Sequence, residues 1–275
     1  MIDTQFRTLF EQIQFEKVLS SKTVYGLIWV GTVQKQRCVI KMVILTSGLH
    51  YNDEQNRYMC STRPVEWKRA AKCFLQTDPD PFRHQEFQQR RAMTPQDFFH
   101  EVEAIRKLSR THRTLKGGTG ALEHALLAGP TNRAGPANRA GPEVYGYGVK
   151  HMPVREGMTI DYGFLIMERM DCSLKDIFIQ RNLTPKEQQM VEQAIDDLHE
   201  KSGMLHLDMK PSNIGVNLGA NGEIQRCCFF DGHKIRERRD FDPRIFRKQI
   251  QKNLEVFQRH AKKNMGKDRK RASGS

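Results

Sequence analysis

The amino-acid sequence predicts an α+β fold in which an antiparallel sheet precedes a set of helices. Three runs rich in Val, Ile, Leu and aromatic residues lie within the first 45 residues, as expected for strands, at 15–19, 24–33 and 37–45. The short polar connection at 33–37 favours a meander. Later segments carry helix start signals instead. Strands followed by helices are typical of the α+β class.

Three helices are predicted from their first residues. Thr94 precedes a proline, Pro95, at the first helical position. Thr184 and Glu187 form a capping box around Pro185, and a further helix is expected after Asp242. In each case apolar residues then recur at the spacing of one helix face.

The composition indicates a folded chain whose positive charge is concentrated near the C-terminus. The 275 residues are 38% hydrophobic and carry a net charge of +13. From Lys234 onwards, 15 Lys and Arg stand against 5 Asp and Glu, so this stretch holds most of the excess. The region before it is nearly balanced.

Membrane and secreted classes are not favoured by the sequence. The longest apolar stretch, at 24–33, is too short to span a bilayer. The first residues lack a basic segment followed by an apolar core, and the six cysteines show no CxxC spacing. We therefore expect an intracellular protein, in the cytoplasm or nucleus, without membrane contact.

Two long insertions between the predicted strands and helices are expected, at 46–93 and 109–142. The first is largely polar, with a short helix expected at 65–75. The second contains a Gly/Pro-rich hexapeptide repeat at 128–142, which cannot hold a helix or a central strand and predicts an expanded surface loop.

The most informative segment is a loop that contains His206, Asp208, Lys210 and Asn213. Phosphoryl transfer needs a carboxylate to accept the proton of the attacking hydroxyl, a cation near the phosphoryl group and an oxygen ligand for Mg²⁺. Asp208, Lys210 and Asn213 supply these groups within one short loop. The segment therefore predicts a phosphotransfer site.

Further motifs, in the same order along the chain, resemble those of the protein kinase family. The segment ending at Lys41 resembles the family's Val-Ala-Ile-Lys, which implies that Lys41 contacts the α- and β-phosphates of ATP. The segment 100–108 resembles helix C, and Glu101, rather than its rival Glu103, matches the residue that pairs with this lysine. Glu168 and Met170 match the hinge that binds adenine.

The resemblance also implies a magnesium site and a two-lobed fold. Asn213 and Asp231 would bind Mg²⁺, and Gly26 would close the loop over the nucleotide. The implied kinase-like domain covers 1–233, with an antiparallel-sheet N-lobe at about 1–170 that includes helix C, and a reduced, mainly helical C-lobe at about 171–233. A closing helix and basic tail occupy 234–275.

Several positions depart from the family pattern. The glycine-rich loop at 21–26 keeps the aromatic residue, Tyr25, and the last glycine, Gly26, but replaces the first two glycines. Asp231-Gly-His233 stands where the family has Asp-Phe-Gly. His206 is followed by Leu207 rather than Arg, and the segment after Asp231 lacks an Ala-Pro-Glu motif. Compact kinase-like proteins of large DNA viruses are similar in these respects, which would allow a viral, virion-associated protein.

Three functions are therefore considered. The first is a serine/threonine protein kinase that uses ATP and Mg²⁺ on a protein substrate, with Asp208 as the proton acceptor and Lys210 as the stabilising cation. The alternative is a pseudokinase or interaction scaffold with weak or no nucleotide binding. The third is contact with acidic partners or nucleic acid through the basic tail.

Overall fold

The computed structural model describes residues 4–20, 26–47, 50–52, 57–60, 63–64, 92–110, 139–155 and 158–272. The described chain combines antiparallel sheets with helices, so the predicted α+β class is confirmed. The helix expected at 65–75, most of the glycine-rich loop at 21–26 and most of the hexapeptide repeat lie outside these residues.

The chain divides into two compact units. The first takes its described residues from Met1–Val102 and Val144–Arg169, and the second from Glu103–Glu143 and Met170–Ser275. The predicted boundaries of a kinase-like domain stay a prediction.

The first unit is built on a five-stranded sheet in the order β1-β2-β3-β8-β7, in which every neighbouring pair is antiparallel. Its strands are β1 (Gln14–Ser20), β2 (Gly26–Val33), β3 (Gln36–Ile44), β7 (Val144–Arg155) and β8 (Met158–Glu168). The three predicted N-terminal strands and their meander are confirmed. A separate small sheet contains β4 (His50–Asn52), β5 (Arg57–Cys60) and β6 (Arg63–Pro64).

Alternation along β3 gives the large sheet two different faces. Ile40 and Met42 point to one face, where they pack with Tyr162 and Phe164 of β8 in a buried apolar cluster. Lys41 lies between them in sequence and therefore points to the opposite face. Helix α1 (Thr4–Glu11) covers the apolar cluster through Leu9 and Phe10.

Helix α1 and strand β7 are differences from the sequence-based expectation. The N-terminal region was expected to consist of strands, but 4–11 is a helix. Its Leu9 and Phe10 pack against the apolar cluster on the sheet, and this burial favours the helix. Strand β7 was not predicted. Its ladder with β8, the next strand along the chain, places Gly148 opposite Phe164, a pairing that the composition of 144–155 does not specify.

Helix α2 (Pro95–Arg110) begins as predicted. The Thr94 hydroxyl accepts a hydrogen bond from the Asp97 backbone N–H at 3.1 Å, which satisfies one of the free donors of the first turn. One turn on, Phe98 is buried and its ring faces Gly163 of β8, where a Cβ atom would come within 2.9 Å of it. Phe98 thereby fixes this end of α2 on the sheet face that carries Lys41.

From Met170 onwards, the described residues of the second unit form two small sheets and three α-helices. One sheet has the order β12-β11-β9 and the other pairs β10 with β13. The strands are β9 (Cys172–Ser173), β10 (Met204–His206), β11 (Ile214–Leu218), β12 (Ile224–Phe229) and β13 (Ile235–Glu237). The helices are α3 (Leu174–Gln180), α4 (Pro185–Glu200) and α5 (Pro243–Ala272).

Capping boxes start α3 and α4. Ser173 and Asp176 form the first, and Thr184 and Glu187 form the second, as predicted. Helix α5 begins after Asp242, also as predicted, and Phe246 and Phe257 of its apolar stripe are buried.

Besides capping α4, the buried Glu187 side chain connects α4 to two other segments. Its carboxylate accepts two hydrogen bonds from the Arg181 guanidinium, at 2.8 and 2.7 Å, and one from the Ile224 backbone N–H at 2.9 Å. These contacts, those with Arg181 above all, lower the pKa of Glu187 to about 2 despite burial. One side chain therefore joins the start of α4, the end of α3 and the start of β12.

No described helix is both long enough and apolar enough to cross a membrane.

Candidate functional site

Lys41 and Glu101 form an ion pair within the first unit. Lys41 Nζ lies 2.6 Å from Glu101 Oε1, and the two side chains are 13% and 3% exposed. The pairing expected between β3 and α2 is therefore present, with Glu101 rather than Glu103 as the partner. Glu103 is exposed and pairs with Arg106 instead.

The local fold explains why these two residues meet. Val43 lies opposite Gly163 in the β3–β8 ladder, and Gly163 is the residue that faces Phe98. Lys41 lies two residues before Val43, so its side chain is on the same sheet face. Glu101 follows Phe98 by three residues, which places it one turn further on the same side of α2.

The buried carboxylate is only partly satisfied. Glu101 Oε2 has no hydrogen-bond partner among the described residues. A buried carboxylate oxygen without a donor costs free energy and is uncommon in a purely structural ion pair. This oxygen is free to accept from a donor or cation that belongs to a ligand.

The other predicted nucleotide contacts lie at strand ends or in the second unit. Gly26 is the first residue of β2, opposite Val43, and Glu168 is the last residue of β8, opposite Cys38. Met170 is buried in the second unit, where it lies over Gly215 of β11.

Asp208, Lys210 and Asn213 lie together in the loop between β10 and β11. Lys210 Nζ donates to Asp208 Oδ2 at 2.5 Å. The buried Asn213 amide donates to the Asp208 backbone carbonyl at 2.9 Å and reaches Asp208 Oδ2 at 3.4 Å. Asp208 and Lys210 remain 41% and 46% exposed, so both can contact a bound molecule.

A turn of 3₁₀-helix at Pro211–Asn213 sets this geometry. Its first hydrogen bond runs from the Asn213 N–H to the Lys210 carbonyl at 2.8 Å, which folds the asparagine back towards Asp208. The Asp208 carboxylate and the Lys210 ammonium are therefore exposed, and the buried Asn213 amide supports the loop through its hydrogen bonds to Asp208.

His206 is fully buried, and both of its ring nitrogens are hydrogen-bonded to backbone groups. Its Nδ1 accepts the Asp208 backbone N–H at 3.2 Å, so Nε2 carries the ring proton and donates it to the Phe230 carbonyl at 2.7 Å. The neutral ring fits this arrangement, and burial lowers the pKa of His206 despite opposing contributions that include the Phe230 carbonyl. The histidine therefore holds the loop that carries Asp208 against the segment that precedes Asp231.

Asp231 follows β12 and is held to the same loop through Phe230. The Phe230 N–H donates to the Asn213 carbonyl at 2.9 Å. Asp231 itself adopts the left-handed region with φ 67°, an uncommon conformation for a residue other than glycine. Its Oδ1 lies 2.7 Å from His233 Nδ1. The loop and Asp231 are thus parts of one hydrogen-bonded arrangement.

Asn253 of α5 supports the strand that precedes the Asp208 loop, and it was not predicted from the sequence. It is 2% exposed, and its Nδ2 donates to the His206 carbonyl at 2.9 Å and to His199 Nε2 at 3.2 Å. Burial lowers the pKa of His199 to about 4, which keeps this acceptor neutral near pH 7. The available signal was a polar residue seven positions after Phe246 and four before Phe257, within the apolar stripe.

Replacing Asn253 by leucine, which has a similar volume, is expected to lower the free energy of unfolding by about 1–3 kcal/mol, because the His206 carbonyl and the His199 nitrogen lose their donor. Urea unfolding measures the change, with the exposed Gln251→Leu on the same helix as the control. Equal stabilities of the two variants would contradict the assigned role.

No model of a known protein family matches this sequence, and no curated protein matches it at a significant level.

Proposed function

We propose that this protein is a serine/threonine protein kinase, which transfers the γ-phosphoryl group of ATP to hydroxyl groups of a protein substrate. The observation that carries the proposal is the loop in which Asp208 is half-exposed, contacts Lys210 at 2.5 Å and is supported by Asn213. A solvated surface loop has no need for this buried support.

Each residue has a defined part in the proposed reaction. The Asp208 carboxylate takes the proton of the substrate hydroxyl while the oxygen of that hydroxyl forms a bond to the γ-phosphorus of ATP. The bond from that phosphorus to the bridging oxygen breaks, and ADP leaves with that oxygen. Lys210 offsets the negative charge of the transferring group. Lys41, held by Glu101, binds nucleotide phosphate.

The donor set suits Mg²⁺. Asn213 and Asp231 offer an amide oxygen and a carboxylate, the hard oxygen ligands that this ion prefers. When bound, Mg²⁺ would neutralise phosphate charge. Among the chain's own residues, Asn213 and Asp231 would hold it.

One observation favours the scaffold alternative. His233 lies 2.7 Å from Asp231 Oδ1 and therefore competes for a carboxylate that a kinase needs for metal. Thermal unfolding with and without Mg-ATP, followed by ³²P transfer to a basic protein or to the protein itself, distinguishes the two functions. A thermal shift with transfer supports the kinase, and a shift without transfer supports a nucleotide-binding scaffold. If neither a thermal shift nor transfer is observed, the result supports a scaffold that does not use nucleotide.

Replacing Lys41 by methionine is expected to lower phosphoryl transfer about 10²- to 10³-fold, because one charged donor to the phosphates is removed while the aliphatic stem remains. Initial rates of ³²P transfer at saturating Mg-ATP measure the loss. Lys17→Met, on the exposed side of β1, is the matched control and should keep the rate. Equal rates in both variants would exclude a role for Lys41.

A further inference from the structure

Helix α5 carries a basic stripe that the proposed kinase reaction does not use. Five cations recur along one side of the helix and are all exposed: Arg244, Lys248, Lys252, Arg259 and Lys262. At 100° per residue they fall within a sector of about 80°, and they extend over about 27 Å of helix axis. The same sector contains one acidic residue, Glu255.

The opposite side of α5 is occupied by the protein itself. The Phe257 ring stacks near Phe178 of α3 at a centroid distance of 6.3 Å, and Phe246 lies edge-on to His199 of α4 at 6.5 Å. Asn253 is bonded to β10 as described above. The orientation of the helix is therefore fixed, and the stripe is held away from these contacts.

The stripe cations are available for an external anion. Within the described part of the chain, no carboxylate lies within 4.0 Å of any of the five cationic groups. A linear array of exposed cations that have no carboxylate partner among the described residues is complementary to a linear array of anions.

We propose that this stripe binds the phosphodiester backbone of nucleic acid. A regular row of phosphates matches the row of cations, and release of condensed counterions provides the free energy of binding. The aromatic residues of α5 face the interior, so base stacking has no support and binding should be independent of base sequence. Membrane insertion is disfavoured because the apolar side of the helix is already buried.

The test is the salt dependence of binding to a labelled duplex of about 20 base pairs, as DNA and as RNA, with the full chain. Lys248→Gln, Lys252→Gln and Arg259→Gln are combined in one variant. With about 0.9 units per phosphate contact, the slope of log K against log salt should become shallower by roughly 2–3 units. Binding to either duplex with this change supports the proposal.

A matched variant removes three exposed cations elsewhere in the second unit: Lys175→Gln, Lys186→Gln and Lys201→Gln. Its salt slope should equal that of the wild type. The proposal is overturned if neither duplex binds, if both variants change the slope equally, or if binding survives in the stripe variant and disappears only when 263–275 is removed. Retention on anionic vesicles without nucleic-acid binding also overturns it. Because kinase activity is not the readout, the result is independent of the proposed phosphotransfer.

Discussion

Replacing Asp208 by asparagine is expected to lower phosphoryl transfer about 10²- to 10⁴-fold, the usual contribution of a positioned general base. The amide keeps the shape of the side chain but cannot take the proton of the attacking hydroxyl. Asp208 is half-exposed, and its backbone carbonyl still accepts from Asn213, so the fold should persist. Initial rates of ³²P transfer and the thermal unfolding midpoint together measure the effect.

Asp197→Asn is the matched control for this change. Asp197 also pairs with a nearby lysine in the second unit, Lys201 at 2.7 Å, but on the surface of α4. Such exposed pairs contribute little, so this variant should keep both activity and stability. Full activity in Asp208→Asn would reject Asp208 as the base, and equal losses in the two variants would show that the effect is not specific to the loop.

Features with local causes could be predicted from the sequence. Thr94 and Thr184 mark the starts of their helices because capping depends on residues within one turn. The first three strands were likewise visible as short β-branched and aromatic runs. By contrast, β7 contains Gly146, Gly148 and Pro153, and it is a strand because β8 supplies its pairing partners. Because the cause lies in the partner strand, it leaves little trace in the segment 144–155 itself.

The same distinction applies to the candidate site. Asp208, Lys210 and Asn213 are close in sequence, so their proximity could be predicted from the loop alone. The Lys41–Glu101 pair joins residues that are 60 positions apart, and only the resemblance to kinases suggested it. The support of His206 by Asn253 could not be predicted, because it depends on how α5 lies against β10.

The largest loss of stability is expected from Glu187→Ala, about 3–5 kcal/mol at pH 7, as for other buried ion pairs that lose one partner. The change leaves the Arg181 guanidinium and the Ile224 N–H without their shared acceptor and removes the capping box of α4. Chemical denaturation measures the loss, with the dependence of the unfolding free energy on denaturant concentration (the m-value) expected to be the same in both proteins. Glu200→Ala, exposed at the end of the same helix, should change stability by no more than about 0.5 kcal/mol.

The loss caused by Glu187→Ala should also depend on pH. The pKa of Glu187 is about 2 in the folded protein against 4.5 for the free side chain, so its ionisation stabilises the fold fully above pH 4.5 and progressively less as the pH falls towards 2. The difference between wild type and variant should therefore shrink by up to about 3 kcal/mol over this range. Protonation of His199, whose pKa is lowered to about 4, destabilises both proteins and cancels in the comparison. A difference that stays constant from pH 7 to pH 2.5 would show that the carboxylate acts through packing rather than through its charge.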